Sequence, residues 1–380
     1  MMKREHWNLD LFRILWSQSR VLRPHDQDEN LSENSLLSYA ISKGNLEAFQ
    51  FIISQDKSLA LTKDSEGVTV LHIAIENQEE NGSDGENILS ALLQVLSSED
   101  LQEASGNGVT ALHRAASRGL TSTVESLVGR GVEIDPLEED GWSPLYWAAW
   151  VGRADTVAYL LANGANPNQP TNTKTTPLHA AADNTNIMTM LLSKKANIDA
   201  RDDKGCTPLM WAIRWTNQSG VEILLRREAS IGIVDTEGQT ALHFAERFAS
   251  TPIAETLLNS SADVGVANHL GQTPLHYTAI YGSEPLGVKQ LLGKGAVINC
   301  KASDGKTPLH HIASQTDSWA IPVAETIIEA HADNKNSLDD KDESGQTPLH
   351  LALNDGSYTM SNLLVVSGAD VRQRTADDRS

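Results

Sequence analysis

The chain has 380 residues, 40% of them hydrophobic and 5% aromatic, and its 30 basic and 50 acidic side chains give a formal charge of −20. That balance excludes a protein whose main partner is a phosphate backbone, because counterion release needs a basic footprint. Two cysteines exclude a disulfide framework or a Cys-rich zinc module, and no stretch approaches the roughly 20 apolar residues that cross a bilayer.

Residues 1–32 come first. Lys3, Arg4, Glu5, Asp10 and Arg13 interrupt them, so no secretory signal is expected. The sequons at Asn30, Asn81, Asn217 and Asn259 are then expected to be unused, in an intracellular setting, cytoplasmic or nuclear. Trp7, Leu11, Ile14 and Leu15 can share one helix face. This predicts an amphipathic segment that caps the repeats after it. A targeting or partner helix is the alternative, because residues 1–23 carry five basic and two acidic side chains.

From residue 33 one phrase recurs: Thr-x-Leu-His-x-Ala, often with Pro second. It opens at Thr69, Thr110, Thr176, Thr240, Thr273, Thr307 and Thr347, with variants at Ser35, Ser143 and Thr207. Successive openings lie 34, 41, 33, 33, 31, 33, 33, 34 and 40 residues apart. Thr is a good helix N-cap, and Pro fits the first helical position, where no donor is needed. Leu112, Ala115 and Ala116 make a slim apolar face that lets helices approach closely. Gly119, Gly152 and Gly356 end the first helix of their units as C′ glycines do. A second helix follows, with Val124, Leu127 and Val128 at helical spacing, and Gly131, Gly164, Gly295 and Gly368 close such helices. Polar runs such as Asp202-Asp203-Lys204-Gly205 then read as hairpin-like fingers. The long spacings predict a polar loop at Asn77–Asn87 and an extended acidic finger at Ala332–Ser344. A shortage of two residues around Asn184–Asn186 predicts a tight or irregular turn.

A period near 33 with this phrase resembles the ankyrin repeat. About ten units cover 33–371, leaving a polar tail at 372–380. The expected fold is all-α: a solenoid of helix-turn-helix units with β-hairpin-like fingers, elongated and curved, with no central sheet.

Chemistry is sparse. Seven histidines occupy one slot of the phrase. Helices stacked roughly 8–10 Å apart keep such histidines in a row, whereas ligands must come within about 2 Å of one ion. They are expected to tie one repeat to the next. Gly305-Lys306-Thr307 resembles the tail of a P-loop, but Cys300 stands where the first Gly is required. No catalytic, cofactor or metal residues are assigned, and the chain is expected not to be an enzyme.

The resemblance implies a concave groove faced by the residue before each capping Thr and the two before each helix-ending Gly. Trp142, Trp150, Arg214, Trp215, Arg247, Phe248 and Tyr281 occupy such positions. Exposed aromatics with Arg make interface hot spots. Trp147, Trp211, Phe244 and Tyr277 sit earlier on the same helices, where packing between repeats is expected. The function expected is a non-catalytic scaffold or regulator, or a transcriptional co-regulator, that binds another protein as a monomer, without a cofactor, direct nucleic-acid contact or a membrane. The alternative is the sensor portion of a larger multidomain protein or a stand-alone derivative of one.

Overall fold

The computed structural model describes residues 33–282, 284–330 and 338–375. The capping segment expected at 1–32, the end of the tail and the first part of the Ala332–Ser344 finger lie outside the described residues. Backbone contacts divide the chain into two compact units. One runs to Ala180 and includes Ser193–Lys195; the other holds Ala181–Leu192 and everything from Ala196.

The first unit contains α1 (Glu33–Ser42), α2 (Leu46–Gln55), α3 (Val70–Val95), α4 (Ala111–Arg118), α5 (Thr121–Gly129), α6 (Pro144–Val151), α7 (Ala154–Ala162) and the single turn α8 (Pro177–Ala180). After α9 (Thr185–Ser193), the second unit continues with α10 (Pro208–Arg214), α11 (Gln218–Arg226), α12 (Ala241–Arg247), α13 (Thr251–Asn259), α14 (Pro274–Tyr281) and α15 (Pro285–Gly293). It ends with α16 (Pro308–Ala313), α17 (Ala320–Ala330), α18 (Pro348–Asn354) and α19 (Tyr358–Val366). First helices pack on first helices: α4 on α6 in one unit, and α10 on α12 on α14 on α16 in the other. Each also packs on the second helix of its own repeat. Each unit is an all-helical stack of helix pairs, as the ankyrin resemblance implied, with no strand among the described residues beyond the isolated bridges Lys63–Thr69 and Ala104–Thr110.

The phrase builds each first helix as its chemistry requires. The Thr110 side chain accepts the His113 backbone N–H, and the His113 ring accepts the Thr110 N–H, which makes a reciprocal capping box. Leu112, Ala115 and Ala116 are buried, as are Val124 and Leu127 of the second helix. Each such leucine is worth about 1.5–3 kcal/mol on burial, and only the neighbouring repeats can supply that burial. The fingers are tied to each other by backbone bonds. In the first unit Glu139 N–H donates to the Asn107 carbonyl (2.9 Å); in the second, His269 donates to Glu237 (2.9 Å) and Ser303 to Leu270 (2.8 Å). At Gly305 (φ 76°) an added Cβ would stand 2.7 Å from the backbone nitrogen of Glu343, so the next finger can pass only over a glycine.

The region Asn77–Asn87 differs from expectation. It is not a loop: helical structure runs through it, broken only at Gly82 (φ 58°, ψ −136°). The inserted polar residues have partners in neighbouring repeats. Asn81 donates to the Ile41 carbonyl (2.9 Å), and buried Gln78 accepts from the Thr123 hydroxyl (3.3 Å). Near Asn184 the turn is irregular as expected, and no residue from Ala181 to Asn186 takes a positive φ.

Candidate functional site

The seven candidates fall in two groups, one in each unit. In the first unit, Trp150 lies two residues before Gly152, which turns left-handed (φ 82°) to end α6. Its indole is 41% exposed. Trp142 precedes the capping Ser143 and is half-buried. Its carbonyl accepts from His113 Nε2 (2.9 Å), and its N–H donates to the Glu138 carboxylate (2.9 Å). These bonds hold the ring against Tyr146 (centroids 4.8 Å apart), Trp147 (6.1 Å) and Trp150 (6.2 Å).

In the second unit the register repeats three times. Trp215, Phe248 and Tyr281 each directly precede the left-handed residue that ends a first helix: Thr216 (φ 51°), Ala249 (φ 50°) and Gly282 (φ 87°). They are 51%, 36% and 43% exposed. Arg214 and Arg247, one residue earlier than Trp215 and Phe248, are exposed too. The Arg247 guanidinium lies over the Tyr281 ring, 5.4 Å from its centroid, a cation–π geometry. Below this layer Phe244 and Tyr277 are buried, and each ring contacts the exposed ring of its own helix: Phe244–Phe248 at 6.4 Å and Tyr277–Tyr281 at 5.2 Å. Trp147 and Trp211 at the matching slot are half-buried. Trp211 donates to the Asp202 carboxylate (3.0 Å).

That slot also holds residues the sequence reading passed over. Arg114 occupies it in α4 and pairs with Glu76. His311 occupies it in α16, with a buried Nε2 that has no hydrogen-bond partner. The signal available was positional: a charged or titratable residue where sister repeats carry an aromatic.

The repeated histidines are fully engaged. Nδ1 of His243 accepts the Thr240 N–H (3.1 Å), so Nε2 carries the proton and donates to the Gln272 carbonyl (3.0 Å) in the next repeat. His72, His113, His276, His310 and His350 make the same pair of bonds. The thiols are not activated. Burial, then Asp202 and Asp235, pushes Cys206 up to about 12, and burial raises Cys300. A hollow of about 360 Å³ lies elsewhere, between α11 and α13, where Glu222, Leu225, Thr256 and Ser260 line it.

Comparison with known proteins completes the picture. The family model described as "Ankyrin repeats (3 copies)" matches residues 81–171, 167–235, 221–286 and 284–375. Human inversin is 29% identical over 270 residues, 70% of this chain and 22% of inversin. The human neurogenic locus notch homolog protein 4 is 45% identical over 85 residues, 22% of this chain and 4% of that protein. The mouse inactive serine/threonine-protein kinase TEX14 is 33% identical over 104 residues, 27% of this chain and 7% of that protein. The chain therefore spans less than a quarter of the length of these relatives. The family match extends over most of the chain, so the protein belongs to the ankyrin-repeat family, a module for protein–protein interaction.

Proposed function

We propose that the protein is a non-catalytic scaffold or regulator that seats a segment of a partner protein on the ends of its first helices. Trp142 and Trp150 serve in the first unit; Arg214, Trp215, Arg247, Phe248 and Tyr281 serve in the second. One observation carries this reading. Three consecutive first helices of the second unit end in an exposed aromatic residue at the same register. Packing between repeats has no use for those rings, because Phe244 and Tyr277 already fill the layer beneath. Large exposed aromatics beside arginine are the side chains that carry interface energy. A co-regulatory role through a second protein suits the −20 charge, which works against direct nucleic-acid contact. The protein acts as an intracellular monomer in this reading.

Affinity capture from native cells tests it. Wild type should retain a partner that a Trp150→Ala/Trp215→Ala double variant loses, with each truncated hot spot costing about 2 kcal/mol or more. Asn354→Ala, at the matching register of the tenth repeat, should change little. Partners that survive the double variant would remove these residues from the recognition surface. A second reading, the recognition portion of a longer protein, has support in the small share of inversin that the chain covers. A full-length transcript with a further domain decides for it.

A further inference from the structure

The second unit presents cations in an otherwise acidic chain. Arg214 and Arg247 are exposed, and among the described residues neither has a carboxylate within ion-pair distance. Glu237 is the carboxylate whose field reaches the Tyr277 ring together with that of Arg247. The chain as a whole carries a net charge of −20, and what sets Arg214 and Arg247 apart is that they stand directly beside exposed aromatic rings, at the same register of successive first helices.

Arg247 is also pre-organised. Its guanidinium carbon lies over the Tyr281 ring, 5.4 Å from the centroid, a cation–π contact that leaves its N–H groups without a carboxylate partner among the described residues. Those N–H groups form the fork that matches a carboxylate bidentately. That contact restrains the side chain before any partner arrives, so less rotamer entropy is lost on binding. Trp215 and Phe248 stand at the corresponding positions of the two preceding first helices, and α10, α12 and α14 pack side by side. Neighbouring helices lie roughly 8–10 Å apart. An extended peptide advances about 3.3 Å per residue, so apolar anchors about three residues apart would reach successive rings.

We infer that this face takes an acidic, extended peptide: large apolar anchors at about three-residue spacing, with Asp or Glu between them to meet Arg214 and Arg247. The inference rests on the function proposed above and adds the chemistry of the partner. Charge complementarity selects this occupant, because a basic segment would face two exposed arginines that no ion pair holds among the described residues.

The test is selection from a phage-displayed library of random 12-residue peptides on the full chain. Wild type should enrich peptides with carboxylates flanking apolar residues. The best synthetic peptide should bind at least 10-fold more tightly than its Asp→Asn, Glu→Gln counterpart. Arg214→Glu/Arg247→Glu, whose side chains are exposed, should remain folded, with no more than the small loss of stability that one exposed cation–π contact supplies, should lose the acidic peptides by at least 10-fold and should enrich basic ones. Enrichment of neutral or basic peptides by wild type, or indifference to the charge reversal, overturns the inference. If Trp215→Ala then still abolishes binding, the aromatic face stands and only the acidic partner falls. If no peptide is enriched, or those enriched ignore both Trp215→Ala and the charge reversal, the reading of the face falls as well. A wild-type dimer in sedimentation that the charge reversal makes monomeric would identify a second copy as the occupant and overturn the peptide.

Discussion

Thr216 sits where Gly119, Gly152 and Gly282 end other first helices, and it holds φ at 51°. A β-branched residue is poorly suited to the left-handed region, at a cost on the order of 1–3 kcal/mol. Thr216 is exposed, so little packing opposes a change. Thr216→Gly should raise stability by about 0.5–1 kcal/mol after the added chain entropy of glycine is subtracted. Urea unfolding measures this, and a lower midpoint would refute the strain. The histidine slot makes the opposite case. His243 is buried, accepts from Thr240 N–H and donates to the Gln272 carbonyl. His243→Ala leaves a donor and an acceptor without partners, so a loss of about 2–3 kcal/mol is expected. The same loss should appear with and without chelator. A melting temperature that falls with chelator only in the wild type would mean that the row binds metal.

The helix starts followed from the phrase, because Thr, Pro, Leu and His each serve a local role that needs no knowledge of the neighbours; helix length did not, since the intact phrase at Thr176 opens only the single turn Pro177–Ala180. Prediction failed at Asn77–Asn87, where polar composition suggested a loop. The deciding bonds there, Asn81 to Ile41 and Thr123 to Gln78, join residues 40 and 45 apart in sequence. No local pattern announces such contacts. What the insertion does require is a break, and Gly82 supplies it at φ 58° and ψ −136°. That conformation belongs almost entirely to glycine. An added Cβ at Gly82 meets nothing within 4 Å, so Gly82→Ala isolates the backbone term. It should lower stability by about 1–3 kcal/mol, read as a reduced urea midpoint. An unchanged midpoint would show that the two helical halves can join without a break.

At the scale of the whole molecule, the period made the candidate site legible, since it fixes which residue comes one or two places before each left-handed turn. It could not show that Arg247 lies over Tyr281 of the next repeat or that Trp142 packs against Tyr146 of its own, because both contacts depend on side-chain rotamers. The same periodicity places buried imidazoles throughout the array, and this sets its response to pH. Burial is the first cause holding His72, His113, His243 and His311 down at about 4; Arg114 adds to the effect at His72, and His276 at His311. An exposed histidine in the unfolded chain titrates near 6.5. Between about pH 6.5 and 4, then, the unfolded chain binds protons that the native chain does not, and stability must fall as pH falls. Above about 7 both states are neutral at these sites and the effect vanishes. Each site can contribute up to about 1.4 kcal/mol per pH unit inside the window. Four such sites would offset much of the roughly 5–15 kcal/mol of a typical domain. The urea midpoint should therefore be level from pH 8.5 to 7, drop between pH 6.5 and 5, and drop less steeply in His243→Gln, which has one titrating ring fewer. A midpoint unchanged between pH 7.5 and 5 would mean that these rings are protonated in the native state, at odds with the two-sided hydrogen bonding of His72, His113 and His243, in which Nδ1 must remain an acceptor.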